Sequence, residues 1–392
     1  MVISISPQGR DSFNDISTLN IDYKNGRFRT PMRIVNRHDL NAKDKIGANI
    51  PLTQNSHSLL IQEWINPSTL DSILNTNGYL RTMAYRLRKY VDRVKTPNPL
   101  VFLYPTLTND SIELIDNNIR DFATFCCDLA NELGLESILL PIVKDAKEIK
   151  DICNRKNVQL IPILNLKEHD FSSFKKKYYD IRNSDPQDIP IIGFRFYSFP
   201  SANLAYNLIM DDFEKIHENN QATMLVDVDR LLPGNPSNIS APHYGPFFIA
   251  DLVAERYAGG GPRNEEDSEN NRPVKPVKPV KLFCKDDLVT STIEQSLIDS
   301  GRFNIKEEAK LFSNDKQLQE LFYRVVNNQT DAGDWKDNRP MYISRVHENM
   351  RTRPEMSSLQ KNIDSNTASD YLQDKYLMNE TVLQHMKLRK TS

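Results

Sequence analysis

The sequence predicts an α/β fold in which eight parallel strands alternate with helices and close into a TIM-like (β/α)8 barrel. First, short apolar runs within residues 98–230 have the length of strands buried on both faces. Second, helical patterns with apolar residues three and four apart follow most of these runs, the order of repeated βαβ units. Third, the number of predicted strands is eight, and a closed barrel of eight leaves no exposed edge.

The strand predictions differ in how regular their surroundings are. Five fall in the regular part of the chain, at 100–104, 137–143, 158–164, 189–196 and 222–229. Residues 32–35 and 58–64 are the predicted first and second strands, and 280–284 the eighth, after a helical pattern at 247–257. If the first or eighth fails, an open doubly wound sheet is the alternative, although no Gly-x-Gly-x-x-Gly turn follows any strand.

Turn and cap residues mark the ends of the predicted elements. Asn25-Gly26 predicts a type I′ turn in a hairpin over residues 17–35, since both residues accept positive φ. A helix over 115–133, with Cys126 on its apolar stripe, is expected to end at Gly134. Asp145, Asp170 and Ser201 are predicted to cap the helices that follow them.

The chain is longer than the ~250–300 residues that one hydrophobic core usually serves, and we expect three regions. These are an N-terminal hairpin extension (1–30), the barrel (31–300) and a helical, partly disordered C-terminal extension (301–392). An acidic polar cluster and a Pro-Val-Lys repeat predict a disordered insertion at 263–280, because this composition buries little apolar surface.

Composition excludes several classes of function. A net charge of −2 gives no overall field that attracts nucleic acid or anionic lipid. The apolar runs are shorter than the ~20 residues of a membrane span, and the N-terminus lacks a signal-peptide pattern, so a cytoplasmic protein is expected. The four cysteines show no metal-binding spacing, and no nucleotide motif occurs. The cofactor is therefore unknown, with a weakly held Mg²⁺ left open.

The candidate catalytic residues follow the seventh predicted strand. Active sites of such barrels lie at the carboxyl ends of the strands. Asp227 and Asp229 are two residues apart, which in a regular strand places both carboxylates on one face. Such a pair can separate its pKa values for acid/base chemistry or hold Mg²⁺. Alternatively, one carboxylate caps the next element and the other pairs with an arginine.

Substrate-binding residues are predicted at the other strand ends. Arg195 interrupts an apolar strand, so it requires a carboxylate from a neighbouring strand or a substrate anion. The remaining candidates are polar groups able to orient a substrate or carry a proton: Tyr104, Asn165, Arg230, His243, His38 (next to Asp39) and Glu63.

One short segment resembles a known family. Gly26-Arg-Phe-Arg-Thr-Pro31, after a hairpin and before a barrel strand, resembles the start of tRNA-guanine transglycosylases, barrel enzymes that exchange a base in RNA. The Asp-Ser-Gly-Gly segment and cysteine-rich zinc site of that family are missing from this sequence. The resemblance implies nucleic-acid base or nucleoside chemistry, with the basic helix over 79–95 contacting phosphates.

Three functional interpretations follow. The leading one is a barrel enzyme of unknown reaction that acts on a small polar or anionic substrate at the strand ends. The second is the transglycosylase-like enzyme, with RNA as partner. The third is a non-catalytic barrel that serves as a binding scaffold, with a protein partner docking through residues 263–281 or the C-terminal tail.

Overall fold

The computed structural model of the chain describes most of the sequence, with gaps. The described residues are 3–11, 16–47, 58–94, 99–115, 118–143, 146–168, 170–196, 204–228, 238–239, 250–256, 281–284, 289–292, 303–326, 339–373 and 375. The predicted insertion at 263–280 lies outside them.

Fourteen strands lie in the described part of the chain. They are β1 (Ile3–Asp11), β2 (Ile16–Tyr23), β3 (Gly26–Arg29), β4 (Met32–Asn36), β5 (Ser58–Ile65), β6 (Leu100–Leu107), β7 (Ser137–Pro141), β8 (Gln159–Asn165), β9 (Ile191–Arg195), β10 (Ala222–Val228), β11 (Asn238–Ile239), β12 (Leu252–Glu255), β13 (Lys281–Cys284) and β14 (Val289–Thr292). Eight of them form a closed parallel barrel in the order β4-β5-β6-β7-β8-β9-β10-β12. The predicted (β/α)8 barrel is confirmed.

Helices connect most of the barrel strands and follow the last one. They are α1 (Arg37–Lys45), α2 (Pro67–Asn75), α3 (Tyr79–Val91), α4 (Asn109–Ile115), α5 (Ile119–Leu133), α6 (Ala146–Arg155), α7 (Phe171–Arg182), α8 (Leu204–Glu218), α9 (Ile305–Phe312), α10 (Lys316–Val326), α11 (Arg339–Asp364) and α12 (Ala368–Gln373). None of the described helices is both long and apolar enough to cross a lipid bilayer.

Local sequence explains where several helices begin and end. The Asn36 side chain caps α1, and the Asp39 carboxylate accepts a hydrogen bond from the Asn36 backbone N–H in a capping box. Asp170 caps α7 and Gly134, at φ 70°, ends α5, both as predicted. Cys126 is buried on the apolar face of α5. The predicted caps Asp145 and Ser201 lie outside the described residues.

The N-terminal sheet β1-β2-β3 covers the amino-terminal end of the barrel. Only Thr30 and Pro31 separate β3 from β4, and Leu19, Ile21 and Phe28 share one apolar cluster with the inward-facing side chains of the barrel. The predicted hairpin is confirmed, but Tyr23 pairs with Gly26, so its turn residues are Lys24 and Asn25. Neither Asn25 nor Gly26 has positive φ. With this end filled, the carboxyl end is where a ligand can enter.

The eighth barrel strand is not the predicted one. β12 pairs with β10 and β4 and closes the barrel, whereas residues 281–284 form a small antiparallel sheet with β11 and β14. The prediction of a helix over 247–257 is therefore wrong for its described residues. The sequence pattern fails here because Asp251 and Glu255 flank a very short apolar run, and both are buried, Asp251 against His217 and Glu255 against Arg33.

A buried group of charges fastens α11 to the outside of the barrel. This seam cluster consists of Arg33 on β4, Asp39 on α1, Glu255 on β12 and Arg345 on α11. Arg33 lies 3.1 Å from the Asp39 carboxylate and 2.9 Å from that of Glu255. α11 thus packs beside α1 and β4, where it covers the last and first barrel strands.

Candidate functional site

Four side chains from four barrel strands meet at the mouth, the carboxyl end of the barrel. This mouth network consists of Gln62 on β5, Tyr104 on β6, Arg195 on β9 and Asp227 on β10. Arg195 Nε donates to Asp227 Oδ2 at 2.7 Å, and Gln62 Nε2 donates to Oδ1 at 2.6 Å. The Tyr104 hydroxyl donates to Oδ2 at 3.3 Å. Both oxygens of the buried Asp227 carboxylate are therefore bound.

Strand periodicity directs three of these side chains inward. Alternate residues of a strand face the same side, and the residues two before them (Leu60, Phe102 and Gly193) lie on the same inner face. Gly193 allows a close approach, because a Cβ at this position would lie 2.1 Å from Ile163 Cδ1. Arg195 follows directly above this tight contact.

Asp227 reaches the interior by a different route. Met224 and Val226 face inward, so a regular strand would direct Asp227 outward. Its φ is 58°, in the left-handed region, and the register of β10 against β12 shifts between Leu225 and Val228. Such a conformation costs of order 1 kcal/mol or more for a residue other than glycine. Because alternation breaks at Asp227, a spacing of two no longer implies that Asp229 shares its face.

A cavity of about 280 Å³ opens beside the mouth network. Apolar side chains form most of its wall: Leu107, Ile112, Pro141, Ile142, Val143 and Ile163. Its polar lining consists of Tyr104, Asn165, Glu168, Lys177 and Arg195. Lys177 and Glu168 form an ion pair at 2.7 Å. The cavity is thus an apolar pocket with hydrogen-bonding groups, the usual composition of a small-molecule site.

The structure brings together four of the predicted site residues. Tyr104, Asn165 and Arg195 line the cavity, and Asp227 is bonded to two of them. Of the two partners considered for Arg195, the structure shows the carboxylate from the neighbouring strand. Asp229, Arg230 and His243 lie outside the described residues.

Two other predicted residues lie away from the cavity. The Glu63 carboxylate points out of the barrel and pairs with Arg37 at 2.6 Å and with Arg86. His38 is in the first turn of α1 and is not among the described residues that line the cavity. The predicted partner of His38, Asp39, belongs to the seam cluster, where burial alone would raise its pKa, but Arg33 and Arg345 lower it below the usual range.

One functional candidate was missed from the sequence, Gln62, whereas Thr106 is among the polar residues at the predicted strand ends. Gln62 Nε2 also donates to Thr106 Oγ1 at 2.9 Å, and both side chains are buried at the mouth. The alternation of β5 contains the signal, since Leu60 and Gln62 share one face while Glu63 lies on the other. The last polar residue of a strand is thus a poorer guide than the last one on its inner face.

The described residues offer no metal-binding group of three or more His, Cys, Asp or Glu side chains. Cys126, Cys127 and Cys153 are buried free thiols, and burial raises the pKa of Cys126. On the basic helix α3 and the turn after it, Arg86, Arg88 and Arg93 pair with Glu63, Glu132 and Asp44. These cations are thus already partnered by carboxylates of this chain.

Comparisons with known proteins give little beyond these observations. No family model matches the chain, and no curated protein matches it. Among solved structures, a GH18 chitinase from Pseudoalteromonas aurantia aligns with 57% of this chain and 93% of that chain. The sequence identity is 6% and the TM-score 0.37, a level of similarity that supports no reaction or substrate. The fold assignment rests on the strand order of the barrel itself.

Proposed function

We propose that the barrel binds a small polar organic molecule in the mouth cavity and acts on it, with Arg195 contacting an oxygen atom of the substrate. The observation that carries this proposal is that Arg195 both lines the cavity and is held by a buried carboxylate. Arg195 lines the cavity, and its Nε is held by Asp227 at 2.7 Å. An arginine held in this way has little freedom to lose when a ligand binds.

The chemistry of a fixed guanidinium suits an oxygen that carries or develops negative charge. A planar cation with several N–H donors stabilises a carbonyl, carboxylate or oxyanion at a defined position. Asp227 is buried with three donors on its two oxygens, so we assign it the task of positioning Arg195 rather than acid/base catalysis. Tyr104 and Asn165 supply further hydrogen bonds from the same wall.

The cavity wall supports a substrate with an apolar portion. Its volume of about 280 Å³ limits the ligand to a small molecule. Leu107, Ile142 and Ile163 are among the six apolar residues of the wall, so we expect the part of the ligand that faces them to be apolar. A compact amide, ester or organic acid fits this description.

The proposal is tested by a thermal-shift screen with small carboxylic acids, amides, esters and alcohols. Wild type is compared with Arg195→Lys and with Arg37→Lys, whose arginine is also largely buried in an ion pair but faces away from the cavity. We expect compounds that stabilise wild type and Arg37→Lys and lose most of the effect with Arg195→Lys. Mass spectrometry of each bound compound then detects turnover.

Two results count against the proposal. Equal shifts in all three proteins would place the ligand away from Arg195. Binding without any product, for every compound that binds, would make the barrel a binding protein rather than an enzyme.

A further inference from the structure

Trp64 lies near two guanidinium groups at the mouth of the barrel. The Cζ atom of Arg195 is 5.9 Å from the centre of the Trp64 ring system, and that of Arg256 is 5.7 Å from it. Trp64 shares the inner face of β5 with Gln62, so its ring stands beside the mouth network. Arg256 directly follows β12, and its backbone N–H donates to the Val228 carbonyl at 2.8 Å. Both arginines are thus anchored at strand ends.

The two arginines differ in how their charge is compensated. Arg195 is largely buried and forms an ion pair with Asp227. Arg256 is exposed, and within the described part of the chain it has no ion pair with a carboxylate. A ring face attracts a cation and orients it, but it does not neutralise the charge. Among the described residues no carboxylate neutralises Arg256, whose charge can therefore attract an anion.

Two other cations near the mouth are each paired with a carboxylate. Asp227 compensates Arg195, and Glu168 compensates Lys177. Arg256, next to Trp64, has no such carboxylate partner among the described residues. A charge in a partly enclosed site raises the local concentration of ligands that carry the opposite charge.

We propose that Trp64 and Arg256, next to Arg195, form a subsite for an anionic group, a carboxylate or a phosphate. The subsite extends the proposed function and rests on it for the rest of the ligand, whose apolar part occupies the cavity. The substrate class is then a small amphipathic anion: an apolar body beside Leu107 and Ile163, an oxygen at Arg195 and a charged group at Arg256.

The subsite itself can be tested without a known ligand. The chain contains two tryptophans, so Trp335→Phe leaves Trp64 as the only one. Iodide is an anionic quencher of its fluorescence and acrylamide a neutral one. We expect the ratio of iodide to acrylamide quenching to fall by about twofold or more with Arg256→Gln, because the attracting charge is lost. Arg256→Lys keeps the charge and should keep the ratio.

The control is Arg81→Gln, which removes the same charge from an exposed position on α3. An unchanged ratio in Arg256→Gln, or an equal fall in Arg81→Gln, would overturn the subsite. Normalisation to acrylamide separates a lost charge from a change in the exposure of Trp64.

Titration with inorganic phosphate and, separately, with acetate distinguishes the two anions. Whichever ion binds should change Trp64 fluorescence in the Trp335→Phe protein, and its affinity should fall about tenfold with Arg256→Gln. If neither ion binds, a carboxylic acid found by the thermal-shift screen is compared with its amide. If wild type binds the acid more tightly than the amide and Arg256→Gln does not, the result supports the subsite.

The same preference for the acid in both proteins contradicts the subsite and leaves the cavity proposal intact. Failure of the Arg195→Lys comparison, by contrast, removes the cavity proposal, while the iodide result still stands.

Discussion

The mouth network and the seam cluster both bury arginine against carboxylate groups, yet they differ in backbone and surroundings. In the seam cluster Arg33 and Arg345 each form ion pairs with two carboxylates. Arg345 lies 3.1 Å from Asp39 and 3.3 Å from Glu255. No residue of that cluster has positive φ. In the mouth network Arg195 forms an ion pair with Asp227, the one carboxylate of that network. Asp227 has a φ of 58°, and Arg195 also lines a cavity.

This difference indicates different roles. The seam cluster satisfies its own charges and joins α11 to α1, β4 and β12, so its effect is on stability. A strained residue persists only when its surroundings hold it, and strain of this kind is concentrated at functional sites. Burial of ion pairs alone is weak evidence for either role, since the cost of desolvation offsets their attraction. The strain and the neighbouring cavity are what distinguish the mouth network.

The largest effect is expected from Arg33→Met in the seam cluster. The substitution leaves Asp39 and Glu255 buried with Arg345 as their remaining guanidinium, and the free energy of unfolding should fall by roughly 3–5 kcal/mol. Urea denaturation measures it. Arg27→Met, which breaks an exposed pair with Asp22, is the control and should change the free energy of unfolding much less. Equal losses in the two variants would remove the structural role of the seam cluster.

Asp227→Asn tests the mouth network, the second of the two charge clusters. Asparagine also tolerates left-handed φ, so the backbone can stay, but Arg195 loses its charged partner. We expect a loss of about 1.5–3 kcal/mol in the free energy of unfolding, the scale of a hydrogen bond to a charged group. Ligand stabilisation in the thermal-shift screen should fall as well. Unchanged ligand stabilisation would show that Asp227 does not position Arg195.

Gly193→Ala tests the tight contact below Arg195. The added Cβ would lie 2.1 Å from Ile163 Cδ1, so the chain must shift, at a cost of about 1–3 kcal/mol. Ile163→Val removes that methyl group, and the double variant should recover most of the loss. Thermal unfolding of the two single variants and the double variant gives the interaction free energy between positions 193 and 163. Additive losses would mean that another contact, such as the Pro162 carbonyl at 3.2 Å, decides the strain.

The smallest effect concerns pH. Arg33 and Arg345 lower the pKa of Asp39 in the folded protein, although burial opposes them. Stability from this carboxylate is therefore complete above the unfolded value of about 3.9 and is lost as the pH falls below it. Urea denaturation between pH 6 and pH 3 should show a shallower decline for Asp39→Asn than for wild type. Parallel declines would assign the acid sensitivity to other groups.

The sequence predicts the barrel well where strands are long and helices regular, as from β6 to β10. It fails at β12, because a short strand between two charges has no readable period and the partners of Asp251 and Glu255 are distant in sequence. At the site, the isolated charge in the apolar run of β9 predicts a buried partner for Arg195, and the structure supplies one. The inward turn of Asp227 depends on one backbone torsion that no periodicity reveals.

The central claim is that Arg195, held by Asp227, contacts a ligand in the mouth cavity. A crystal structure of the protein with the strongest compound from the thermal-shift screen tests it most directly. We predict the compound between Leu107 and Ile163, with an oxygen atom within hydrogen-bonding distance of the Arg195 guanidinium. A bound compound elsewhere on the barrel, with the cavity filled only by water, would contradict the account.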